Sequence, residues 1–201
     1  MTDNYSKIVK ANLERLYDRL PENLEAMLPG ERRGDRFTFR AFGEECVITP
    51  QGIDLGDEDH SPIYRILVSL YALHACPDPY VHAPFKAFKE FPDSMPYAGA
   101  FSTHTETPLV PRVPKIKTQT ATICEALGAG ETPEGTGGDF SFTVFPFPKI
   151  AVCYIFYEAD DDFPASVTCL FSNNAHRFLP IDGLADVGEY TSKKILNLIS
   201  A

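Results

Sequence analysis

Ile150-Ala151-Val152-Cys153-Tyr154-Ile155-Phe156-Tyr157 is an unbroken run of eight apolar residues, and its reading decides the fold. Eight residues is the length of a strand and far short of the roughly 20 that cross a bilayer, and most of its side chains are β-branched or aromatic. Before it, Phe140, Phe142, Val144 and Pro146 alternate with their neighbours as a second strand. After it, Glu158 to Pro164 turns the chain into Ala165 to Phe171, a hairpin partner. Strands joined by such short connections pair antiparallel. Outward from this block, Phe37, Phe39 and Ala41 alternate and Gly43-Glu44-Glu45 returns the chain into Cys46-Val47-Ile48, a further hairpin.

Helical spacing surrounds the strands. Asn4 stands as N-cap before Tyr5, Val9, Leu13, Leu16, Tyr17 and Leu20, spaced three and four apart. Pro21 interrupts this helix, and Leu24, Met27 and Leu28 continue it briefly up to Pro29-Gly30. Ser61 caps a helix that has Pro62 at its first position and Ile63, Ile66, Leu67, Leu70, Tyr71 and His74 on one face. Ile116, Ile123 and Leu127 predict a third main helix ended by Gly128. An Asp182-led helix closes the chain, with Leu184, Val187, Ile195, Leu198 and Ile199 on one side. The pattern predicts one α+β domain over residues 1–201, an antiparallel sheet of about five strands packed with three to four helices.

Phe145-Pro146-Phe147-Pro148, the segment Cys153-Tyr154-Ile155-Phe156-Tyr157-Glu158-Ala159-Asp160-Asp161-Asp162-Phe163-Pro164-Ala165-Ser166, and Leu170-Phe171 followed by Asn174-Ala175 resemble the family catalogued as domain of unknown function 3786. The resemblance implies an uncharacterised prokaryotic protein of anaerobic bacteria or archaea. Some relatives occur beside or fused to iron–sulfur and corrinoid one-carbon proteins. It brings no catalytic residues to carry over. The chain has no cysteine cluster for an iron–sulfur cofactor, which makes it a standalone member.

Two features suggest sites. Glu158, Asp160, Asp161 and Asp162 place four carboxylates within five positions at a strand end, oxygen ligands for a divalent cation and the basis of a metal-dependent enzyme. The competing reading is a solvated turn, since the segment lacks the alternating acids and the glycine of a calcium loop. Asp57-Glu58-Asp59-His60 is a companion acidic run, or a polar loop before a helix. The second feature is the proline-rich, aromatic excursion from Cys76 to Pro114, predicted to be irregular apart from a short helix around Phe85 to Lys89. Tyr80, Phe91, Tyr97 and Phe101 are its candidate ligand-binding residues, the wall or lid of a pocket; the alternative is a loop that caps the sheet with its own rings.

Other motifs are incomplete. His104-Thr105-Glu106 matches half of a zinc-deaminase signature, but Cys124 stands alone where P-C-x-x-C is required. His74 reads as a core residue, whereas His82 and His176, from opposite halves of the chain, could join Cys76 or an acid. Pro108, Pro111 and Pro114 recur at the polyproline II period and predict a stiff extended lead-in to the third helix. Gly128 to Gly138 reads as a flexible connection, with neither a dinucleotide fingerprint nor a P-loop. Cys153 and Cys169 read as core fillers within strands.

The chain has 201 residues, 28 acids and 18 bases, a formal charge of −10. A protein of this size buries about 70% of its unfolded surface without needing disulfides. Residues 1–40 carry 8 bases and 7 acids, so the excess lies in the remainder. The acidic balance argues against nucleic acid and anionic membrane as partners. Five widely spaced cysteines and a start with no secretory pattern predict a cytoplasmic protein with reduced thiols. The reading that follows is a non-enzymatic accessory or small-ligand-binding protein, cofactor unknown, linked by the resemblance to anaerobic one-carbon metabolism.

Overall fold

The computed structural model describes residues 4–56 and 61–200. Helix α1 (Asn4–Asp18) buries Val9, Leu13 and Leu16, and α2 (Leu24–Met27) follows the break at Pro21. Four short strands then form an antiparallel meander in sequence order: β1 (Glu31–Arg33), β2 (Arg36–Ala41), β3 (Glu44–Thr49) and β4 (Gly52–Asp54). Helix α3 (Pro62–Leu73) starts as expected, Ser61 Oγ accepting from the Ile63 amide with proline at the first position. It buries Tyr64, Leu67, Val68, Tyr71 and Ala72.

The excursion after α3 is more ordered than its proline content suggests. It contains β5 (Lys86–Ala87), a 3-10 turn at Phe88–Glu90, and helix α4 (Met95–Phe101). A π-helical segment (Ser102–Glu106), a 3-10 segment (Thr107–Arg112), α5 (Val113–Thr118) and α6 (Thr120–Leu127) continue it. The expectation of an extended lead-in at Pro108 to Pro114 is therefore corrected. A 3-10 helix also has three residues per turn and also suits a proline φ near −65°, so period-three prolines fit both forms.

Strands β6 (Ala129–Gly130), β7 (Phe140–Phe147), β8 (Ile150–Tyr157) and β9 (Ser166–Phe171) join β5 in an antiparallel sheet of order β5-β9-β8-β7-β6. Helix α7 (Ile181–Ser200) closes the fold. The α+β class with antiparallel pairing holds, its strands divided between one sheet of four and one of five. One apolar core runs from Val9 to Ile199. No helix among the described residues is long and apolar enough to cross a membrane.

The sheets meet at the β2–β3 turn. Phe42 and Gly43 both have positive φ, +50° and +85°, the pattern of a two-residue hairpin turn. A phenylalanine in that region is uncommon, and its ring accounts for it. The ring packs edge-on against Tyr64 of α3 at 5.3 Å, Phe147 of β7 at 5.1 Å and Tyr190 of α7 at 4.7 Å. The Phe42 amide donates to Pro146 O at 2.7 Å, beside a register shift in the β7–β8 pairing between Val144 and Phe147. At Gly43 a Cβ would stand 1.8 Å from the backbone oxygen of Ala126, so α6 can pass only over a glycine. Phe42→Ala is expected to lower unfolding free energy by about 3–5 kcal/mol, and Gly43→Ala to destabilise through strain and backbone overlap together. Urea denaturation checks both; wild-type midpoints would show that the turn does not hold the sheets.

Candidate functional site

Strand β9 is the second strand of its sheet, but β5 covers only its last two residues, through Lys86↔Phe171 and Ala87↔Leu170. From Cys169 back to Ser166 no strand among the described residues lies on that side, and an exposed edge of this kind is normally covered by other means. The helical excursion covers it. Glu106 Oε1 accepts from the Cys169 amide at 3.0 Å, taking the place of the carbonyl a neighbouring strand would present. Its Oε2 accepts from Ser102 Oγ at 2.8 Å.

The widened π-helical turn that carries Glu106 brings Ser102 and Thr107 together, since both the amide and the hydroxyl of Thr107 donate to Ser102 O. Single π turns of this type recur at functional sites. On its inner side Thr105 is completely buried, its Oγ1 has no hydrogen-bond partner, and its methyl packs where a side chain on Gly188 would have to go.

Between this turn and β9 lies a cleft of about 320 Å³. Phe88 and Phe101 form one wall, stacked at 4.5 Å with ring planes 11° apart. Lys89, Ser102, Glu106 and Thr168 supply its polar groups, and Cys169 its floor. Burial, followed by the Glu106 charge, pushes the Cys169 thiol well above its ordinary pKa, and burial raises Cys46 and Cys153 as well. All three remain thiols near neutrality, which suits core packing and not nucleophilic work. Under the sheet, Tyr154 Oη and Ser192 Oγ share a buried hydrogen bond at 3.1 Å.

A second polar assembly holds the extended segment 76–85 against the end of β9. Lys149, 6% exposed between β7 and β8, donates from Nζ to Cys76 O and Asp78 O, both at 3.0 Å, beneath the Phe178 ring. Asn174 Nδ2 donates to Pro79 O at 2.8 Å, and its Oδ1 accepts from the Val81 amide at 2.9 Å. Asn173 Nδ2 donates to Pro84 O at 3.0 Å. Arg177 pairs with Asp78 at 2.8 Å, and Cys76 Sγ donates to Arg177 O at 3.6 Å.

The two halves that carry His82 and His176 are thus brought together with Cys76. His82 Nδ1 bonds Tyr80 Oη at 2.8 Å, while His176 lies 5.0 Å from the Phe91 ring. His82 Nε2 and His176 Nδ1 are buried without a partner, and burial, then Lys86 and Arg177, lowers the His176 pKa. His74 is not a core residue; it caps the C-terminal end of α3 at the surface, only partly buried.

The four aromatic candidates separate. Phe101 lines the cleft, and Phe91 is buried against Phe171 and His176. Tyr97 is 39% exposed and lies outside the cleft lining, and Tyr80 packs on Phe145 at the 76–85 segment. In the acidic loop, Glu158 pairs with Lys117. Asp160 Oδ1 accepts from the Asp162 and Phe163 amides at 2.9 and 2.7 Å, the work of a turn residue. Asp161 and Asp162 are exposed. Asp57 to His60 lie outside the described residues. Among the described residues no group of three or more His, Cys, Asp or Glu side chains is arranged to hold a metal ion.

Lys149 has one signal in the sequence, a cation set between Pro148 and the apolar run, and Glu106 stands out there only as half of a zinc motif. A family model described as Domain of unknown function (DUF3786) matches residues 20–194, so α1 stands before the matched segment. No curated protein and no solved structure matches the chain. Lys149→Met keeps side-chain length but leaves two carbonyls without their donor. Stability should fall by about 1–3 kcal/mol, and the Val81 amide should exchange faster. Unchanged exchange there would show that Asn173 and Asn174 suffice to hold the segment.

Proposed function

We propose that this chain, which belongs to the family described as Domain of unknown function (DUF3786), is a small-ligand-binding accessory protein whose ligand seats in the β9-edge cleft. The observation that carries the reading is the half-buried Glu106 carboxylate in the lining of a cleft that the stacked pair Phe88 and Phe101 also lines. Apolar clefts with a few convergent polar groups are the usual form of small-molecule sites. Each Glu106 oxygen accepts one protein hydrogen bond and keeps capacity for another, so the ligand presents an N–H donor or a cationic nitrogen to it. A flat apolar portion lies along the Phe101 ring.

Size narrows the class. About 320 Å³ is at the low end for ligand sites and suits a compact metabolite, while a whole corrinoid ring exceeds it. The link to anaerobic one-carbon and corrinoid proteins, which comes from the family resemblance, then describes the setting in the cytoplasm in which such a ligand is handled. The amine of Lys89 at the cleft can meet an acidic group elsewhere on the ligand.

A thermal-shift screen of purines, pterins and aromatic amines, with flavins and corrinoids included as larger molecules, tests the reading. A hit should raise Tm, lose at least 10-fold in affinity in Glu106→Gln, and weaken in Phe101→Leu. Glutamine keeps an acceptor for the Cys169 amide, so the variant's own Tm should stay near wild type. Tyr97→Ala should bind as wild type. No hit, or hits indifferent to Glu106→Gln, would overturn the assignment.

A further inference from the structure

The last turns of α1 and α3 lie side by side, docked by the buried hydrogen bond from Asn12 Nδ2 to Ser69 Oγ at 2.9 Å. Between them opens a cleft of about 450 Å³, remote in the chain from β9 and independent of the ligand reading above. Its apolar lining comes from Leu16, Pro21, Ala72 and Leu73, and Arg15 and Arg19 line it as well. The two arginines are four residues apart, so both guanidinium groups project from one face of α1 and its continuation.

Two like charges at that spacing repel, and neither has a carboxylate at ion-pair distance among the described residues. Asp18 lines the cleft too but pairs with neither. The dipole at the end of α1 favours one cation near its last turn but does not account for an apolar hollow beneath two. Arg15 also acts on the end of α3: with partial burial first and Arg15 second, the His74 pKa is lowered, Asp182 opposing.

We propose that this cleft binds a small amphipathic anion, a carboxylate or phosphate ester whose oxygens are forked by Arg15 and Arg19 and whose apolar part rests on Leu16, Ala72 and Leu73. Guanidinium groups match the planar geometry of both oxyanions, and an apolar tail is what distinguishes this site from a general anion patch. The cleft's α1 side, Arg15 to Arg19, precedes the matched family segment.

Titrations of the full chain followed by ¹H–¹⁵N NMR test it, with hexanoate, butyl phosphate, acetate, inorganic phosphate and hexanol as probes. Hexanoate or butyl phosphate should saturate, shift the amides of Leu16, Arg19, Leu73 and Ala75, and bind at least 10-fold more tightly than acetate or inorganic phosphate. Whichever of the two binds more tightly identifies the oxyanion. Arg15→Gln/Arg19→Gln should weaken that binding at least 10-fold while leaving Tm near wild type, since both side chains are exposed. Equal binding of the tailless anions, shifts centred elsewhere, hexanol binding as well as hexanoate, or an unaffected double variant would each overturn the proposal.

Discussion

The arrangement of this molecule depends on the insertion of one ring. Phe42 occupies a turn position that normally favours glycine or asparagine, and it is held there because its side chain is gripped by Tyr64, Phe147 and Tyr190. These residues belong to α3, β7 and α7, so a single contact set ties the small sheet to the large one and to two of the helices. The amide of the same residue bonds Pro146 where the β7 ladder is irregular, so the backbone and the ring act at one place. Gly43 then lets α6 cross at a distance no side chain would permit. With α6 fixed, the helical run before it has a defined end, and that run forms one side of the β9 cleft.

Sheet edges explain why the cleft exists. A strand of six residues flanked by one of two leaves amides that need partners. A longer β5 would satisfy them and leave no cavity. Here a helical segment approaches instead, and a helix cannot offer its carbonyls sideways, because they point along its own axis. A side-chain carboxylate has to reach across, and the gap it bridges is the cleft. Glu106 is therefore structural and available for recognition at once, and the π turn is what sets it at the required height.

Much of this architecture is legible in the sequence where the determinants are local. The strands read at Phe140 to Pro146, Ile150 to Tyr157 and Ala165 to Phe171, the Ser61-Pro62 start and the Asp182-led helix follow from period, run length and capping, and the structure places strands or helices at each. Determinants that lie far apart in the chain are not legible. Glu106 finds its partner 63 residues away, Lys149 finds its carbonyls more than 70 residues away, and neither neighbourhood identifies those partners. The prolines at 108, 111 and 114 mislead for a different reason. Polyproline II and the 3-10 helix share a period and a proline φ, and only the packing of Leu109 and Val113 into the core decides between them. His74 misleads because the face of α3 turned toward the core is set by the two helices flanking it, not by the apolar residues of α3 alone.

The charge of the chain shows why density of acids is a poor guide to a site. The run from Glu158 to Asp162 is the most conspicuous acidic feature of the matched segment, yet its residues are partly or fully exposed, one paired with Lys117 and one closing a turn. In water two unit charges 4 Å apart interact by about 1 kcal/mol, against about 4 kcal/mol at the effective dielectric of a protein surface cleft. A single half-buried carboxylate thus has a stronger field toward a cation than any one acid of a solvated run, because less water screens it. What sets the proposed sites apart from the solvated run is the apolar surface beside the charge, and that surface is assembled from residues the sequence keeps far apart.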